Sequence, residues 1–186
     1  MDDKKYTLFK MIHLILMALT ILVTLIGMVQ MTMKLGSGND AIVAVRLLSS
    51  LVRILAMVVG ILYLISGYKK SSASYYKLFF WLMMIALVFR LLVFITRKAD
   101  TLMLVGGVIT IVLAFVLMAG KDLGRNLTFG LLALLIIVEI ALKFPIGLSD
   151  VSLGQLGGEL SMFMLYGTAG FMATAKYIDK SLRGSK

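Results

Sequence analysis

The chain has 186 residues, 61% of them hydrophobic, and a formal net charge of +10. A soluble domain is usually about half apolar, so this composition points to a membrane protein built as one domain, residues 1–186. Cysteine is absent and histidine occurs once, at His13; these counts exclude disulfides, thiolate chemistry and any metal site needing several nitrogen or sulfur ligands.

The basic residues cluster beside apolar segments, which reads as topology and headgroup contact and argues against nucleic acid as a partner. Lys4, Lys5 and Lys10 precede an apolar run over residues 11–33. About 23 residues make about 35 Å of helix, enough to cross a bilayer with tilt and too long for a signal peptide. Along it Thr20, Thr24, Gly27, Gln30 and Lys34 recur at helical spacing as one polar stripe. His13 falls one turn past Lys10 and reads as a residue of the membrane boundary.

A glycine, serine and asparagine turn at 36–40 leads to a second span, 41–68, which contains Arg46-Leu-Leu-Ser-Ser-Leu-Val-Arg53. After the basic, aromatic loop 69–77, the third span (78–96) carries a near-echo, Arg90-Leu-Leu-Val-Phe-Ile-Thr-Arg97. Arginines seven residues apart share a helix face, about 10 Å apart along the axis. The fourth span (101–119) holds Gly106, Gly107 and Thr110; Asn126 is placed to cap the fifth (127–143), which contains Glu139 and is stopped by Pro145. Residues 146–158 read as a glycine-rich connection or a short interfacial helix, with Ser152 and Gln155 spaced as a capping box. A sixth span, 159–177, carries Gly167 and Gly170 for close helix packing.

The expected architecture is therefore an all-α bundle of six transmembrane helices. Twelve lysines and arginines fall on the side of the termini and five on the other, with Arg53 and Arg90 completing the nineteen. The positive-inside rule puts both termini in the cytoplasm. Short loops and the lack of cysteine suggest a bacterial plasma membrane.

Topology then fixes depth. The second helix descends as the third ascends, so Arg46 is expected level with Arg97, and Arg53 level with Arg90. Glu139 and Glu159, the only glutamates in the chain, fall in the same outer third. Two readings follow. In one, Arg46, Arg53, Arg90, Glu139, Glu159 and Gln30 line an outward-facing cavity with a basic rim of Lys34, Arg97, Lys98 and Lys143, made for an anionic solute or lipid headgroup. Such a protein would be a small transporter or a substrate-binding membrane subunit. In the other, the charges only lock the helices of a scaffold or accessory subunit, as a homo-oligomer or beside a partner membrane subunit. No catalytic motif, cofactor motif or metal-ligand spacing occurs, so no enzyme is expected. Six helices in so short a chain is similar to the membrane-embedded binding subunits of energy-coupling-factor transporters, a likeness of fold level only. The first helix departs from theirs in offering only Ala18 and Gly27 as a small-residue docking face.

Overall fold

A computed structural model describes residues 3–33, 36, 40–66, 72–96, 99–119, 124–143 and 153–183. Its order is α1 (Asp3–Thr32), α2 (Asp40–Ser66), α3 (Ser72–Thr96), α4 (Thr101–Ala119), α5 (Arg125–Lys143) and α6 (Leu153–Arg183). All-helical structure is what long apolar runs require in lipid, where each backbone N–H and C=O must find its partner inside its own segment.

Four stretches are long and apolar enough to cross a membrane: Thr7–Thr32, Asp40–Ser66, Ala73–Thr96 and Thr101–Ala119. They fit an integral membrane protein. The apolar part of α5, Asn126–Ala141, is shorter, and α6 is long but more polar, so length and composition support four spans where the sequence predicts six.

Most boundaries differ from the predicted ones by extension into polar sequence. α1 begins at Asp3, α3 at Ser72 and α6 at Leu153, because lysine, serine and tyrosine are compatible with a helix that continues past its apolar run. The glycine-rich stretch before Glu159 is thus the first turns of α6, from Leu153, and not a connection. Ser152 and Pro145 lie outside the described residues. The cap of α5 also differs: the Gly124 carbonyl accepts the Thr128 N–H at 3.0 Å, and Asn126 sits exposed within the first turn.

Each helix packs against the next in chain order, and α6 closes the bundle by touching α1, α2, α4 and α5. Contacts set the directions. On α1 and α6, His13 meets Thr168 and Thr24 meets Gly157, eleven residues apart on both helices, so the two run antiparallel in matched register. On α2, Arg53 meets Gly158 and Gly60 meets Thr168, so α2 runs parallel to α6.

α6 is also the least lipid-like helix in its surface. Ser161, Met162, Leu165, Tyr166, Thr168 and Ala169 are buried. Among its described side chains Leu156 is the one exposed large hydrophobic residue, whereas α1 exposes Leu8, Ile15, Leu19, Leu22 and Val29 among others. Apolar residues therefore cover the outside, and α6 adds small and polar residues to a core that also holds Met17, Phe79 and Leu87.

Glycines set how closely α6 can be approached. A Cβ on Gly157 would lie 2.9 Å from the Thr24 Cα, one on Gly167 would lie 2.7 Å from His13 Cε1, and one on Gly170 would lie 2.6 Å from Leu132 Cδ2. Close contact and burial offset the poor helix propensity of the glycines. Gly130, by contrast, faces open space. Gly157→Val is expected to lower stability by about 2 kcal/mol or more, because the obstacle is backbone. Gly130→Val should stay within about 0.5 kcal/mol of wild type. Unfolding of both variants in mixed detergent micelles checks the contrast.

Candidate functional site: a buried arginine–glutamate cluster

The cluster has two layers, and α6 supplies a residue to each. In the inner layer Arg90 of α3 meets Glu139 of α5 as a bidentate pair: Nη1 donates to Oε2 at 2.5 Å and Nη2 to Oε1 at 2.7 Å. The planar fork of a guanidinium fits a carboxylate in this way, and ionised partners give the stronger class of hydrogen bond. Tyr166 of α6 donates its hydroxyl to Glu139 Oε2 at 3.3 Å. The Phe94 ring lies 5.2 Å from Arg90 Cζ, adding a cation–π contact. Glu139 is fully buried and Arg90 is 9% exposed. This layer is closed and electrically neutral.

The outer layer is arranged differently. Arg53 of α2 is half-buried, and its guanidinium donates from Nε to the Ser49 carbonyl at 3.1 Å, from Nη2 to Ser50 Oγ at 3.1 Å and from Nη1 to the Gly158 carbonyl at 2.6 Å. Ser161 Oγ donates to the same carbonyl at 2.7 Å. A Cβ on Gly158 would lie 3.0 Å from Arg53 Nη1, so a glycine here is what lets the arginine reach the α6 backbone. Every one of these acceptors is uncharged. Burial acts most strongly against the Arg53 charge, while Glu159 and Glu139 favour it through space and Arg90 opposes it. The two layers are therefore one electrostatic unit.

Arg46 lies on the same face of α2, about 10 Å further toward the predicted outer side. It is half-buried, as is Glu159, and both are engaged by neighbouring groups. Gln30 is exposed near the end of α1, outside the polar contacts that join the others. Lys34, Arg97 and Lys98, three members of the predicted basic rim, lie outside the described residues, as does the side chain of Lys143. Of the two arginines expected at one level, Arg90 takes Glu139 directly and Arg53 takes a backbone carbonyl.

Tyr166, Gly158 and Ser161 were not legible as members of this cluster. Tyr166 did carry a signal, since a tyrosine in the middle of a span, away from either interface, needs a buried acceptor for its hydroxyl. Gly158 and Ser161 carried none. His13, read from the sequence as a residue of the membrane boundary, is buried where α1 packs on α6, with Nε2 3.0 Å from Thr168 Oγ1 and its ring against Phe171. The Thr168 hydroxyl donates to the Met164 carbonyl at 2.9 Å, which leaves His13 Nε2 as the donor to Thr168. Among the described residues no group of three or more His, Cys, Asp or Glu side chains gathers as a metal site would require.

Compared with protein-family models, with curated proteins and with solved structures, the chain matches none. The likeness in helix number to energy-coupling-factor binding subunits thus has no structural match behind it.

The inner layer makes a direct prediction. Glu139→Gln leaves Arg90 charged and buried without its carboxylate, and should cost about 3–5 kcal/mol. Tyr166→Phe removes one hydrogen bond and should cost about 1 kcal/mol. Denaturant unfolding in micelles, read by tryptophan fluorescence from Trp81, measures both.

Proposed function

We propose that the chain is a six-span plasma-membrane protein, bacterial and with both termini cytoplasmic, that binds an anionic group from the outer side at Arg53 and Arg46. It would act as a small transporter or as the substrate-binding membrane subunit of one. Support for six spans comes from the position of α6. A helix surrounded by α1, α2, α4 and α5 needs no apolar skin of its own, so its modest hydropathy fits a membrane interior. The excess of lysine and arginine on the side of the termini supports the orientation.

The observation that carries the binding reading is the state of Arg53. Three of its five N–H groups are used by the described acceptors, all uncharged oxygens. Among the described contacts no carboxylate bonds Arg53 directly, which supports a guanidinium fitted to receive an oxyanion, whether a free solute or a lipid phosphate. Arg46 lies on the approach. A guanidinium needed only for packing would be expected to take a carboxylate directly, as Arg90 does.

The sealed Arg90–Glu139–Tyr166 layer favours the second reading, a non-transporting scaffold or accessory subunit whose charges only hold its helices. Neither reading involves catalysis. A thermal-shift series with sulfate, phosphate and carboxylates, run beside nanodiscs with and without phosphatidylglycerol, separates them and separates the two sources of anion. Saturable stabilisation in the wild type, lost in Arg53→Gln, supports a binding site. Absence of stabilisation by every anion, with the variant merely less stable, supports the scaffold.

The topology has its own check. Because the chain lacks cysteine, Gly38→Cys and Ser71→Cys each introduce a single thiol. A membrane-impermeant maleimide on intact cells should label the first and spare the second. Labelling of the second alone would reverse the orientation.

A further inference from the structure

We propose that the α3–α4 face carries a site for an anionic phospholipid, with Lys77 at the headgroup phosphate and Trp81 one turn deeper. The site uses no residue of the arginine cluster, so it holds or fails apart from the anion-binding reading. It requires that α3 and α4 lie in a membrane, and both are long and apolar enough to cross one.

Lys77 and Trp81 stand four residues apart on α3, about 6 Å along its axis, so they share a face. Both are exposed, Trp81 by 63%. The apolar run of α3 begins just after Lys77, at Leu78. The ammonium thus stands at the edge of that run and the indole one turn inside it, the depth order of a phosphate and the glycerol esters below it. α4 completes the surface. Tyr76 donates its hydroxyl to the Met118 carbonyl at 2.6 Å, and the Phe80 and Phe115 rings lie 5.9 Å apart, so the start of α3 is level with the end of α4. Phe80 is half-buried and also meets Trp81 edge-on, with centroids 5.3 Å apart, while Phe115 is 53% exposed. Three rings therefore form one ridge across both helices.

Two polar groups on this surface ask for a partner from the membrane. Among the described residues, neither the Lys77 ammonium nor the Trp81 indole N–H is bonded to another group of the protein. Neither α3 nor α4 contains an acidic side chain. A lysine at the membrane surface attracts anionic headgroups, and an indole N–H at the edge of the apolar zone needs an acceptor; phosphate and ester oxygens of one lipid supply both. Charge decides between headgroups. Aromatic rings by themselves also suit the quaternary ammonium of phosphatidylcholine, but Lys77 repels that cation, and phosphatidylglycerol lacks it.

Trp81 is the single tryptophan of the chain, so its fluorescence reports this surface alone. Arg90 lies nine residues further along α3, about 14 Å by helical rise, which separates the reading from the arginine cluster. Full-length protein is reconstituted into phosphatidylcholine vesicles that contain either brominated phosphatidylcholine or brominated phosphatidylglycerol, since bromine quenches an indole only at close range. Brominated phosphatidylglycerol is expected to quench more at equal mole fraction, with a preference of about fivefold at low salt. That preference should shrink as added salt screens the ammonium. Bromines near the glycerol should quench more than bromines near the chain ends. Lys77→Gln should make the two lipids equivalent, and Lys77→Glu should reverse their order.

The lipid comparison and the salt series use the wild-type protein, so a misfolded variant does not decide the matter. Equal quenching by the two lipids, or a preference retained in Lys77→Gln, overturns the role of Lys77. Stronger quenching by brominated phosphatidylcholine overturns the anionic assignment in favour of choline on the rings. If the deepest bromines quench most, Trp81 is not at the level of the headgroups and the site is overturned. Absence of quenching by either lipid shows a face covered by protein and overturns it as well.

Discussion

A guanidinium and a carboxylate inside a bilayer are tolerable only when each has the other, and the Arg90–Glu139 contact meets that condition with two parallel hydrogen bonds. An uncompensated charge at the centre of a span costs at least about 3 kcal/mol. Several such charges together would cancel most of the roughly 5–15 kcal/mol that separates a folded protein from its unfolded chain. The pair joins α3 to α5, which are not neighbours in the chain. Tyr166 adds α6 to the same point, so three helices share one depth and rotation.

Around that point the bundle is built on the glycines of α6. α6 touches four other helices, and it can do so because Gly157, Gly158, Gly167 and Gly170 let a neighbouring backbone, a guanidinium, an imidazole and a leucine approach its axis. Hydrocarbon provides no hydrophobic drive for helix association, so close contact and buried hydrogen bonds must supply it. The His13–Thr168 and Thr24–Gly157 hydrogen bonds do this for α1 at two levels, about 16 Å apart by helical rise. The same geometry lets Arg53 reach the Gly158 carbonyl, joining the packing of the bundle to the chemistry of its outer layer.

The asymmetry between the two arginines connects structure to function. Arg90 is sealed and matched, and a ligand could reach it only by breaking the inner layer. Arg53 is half-buried and hydrogen-bonded to uncharged oxygens. One layer is thus sealed and matched, and the other holds its arginine on uncharged oxygens.

Much of this was legible in the residues themselves. Apolar runs gave the number and order of the six helices, and four of them are long and apolar enough to cross a membrane. The rarity of glutamate and the spacing of Arg46, Arg53 and Arg90 pointed to one charged layer, because intramembrane charge needs compensation nearby. The tertiary structure alone decided which arginine takes which partner. The spacing alone puts Arg53 and Arg90 at one expected level, and only the packing of α2, α3, α5 and α6 gives Glu139 to Arg90 and the Gly158 carbonyl to Arg53. It also placed His13 and Tyr166 inside, and made helix of the glycine-rich start of α6, because a glycine in sequence does not show whether it ends a helix or admits a neighbour. Spacing along one helix determines depth and face; the partner across the gap depends on how separate helices turn toward each other.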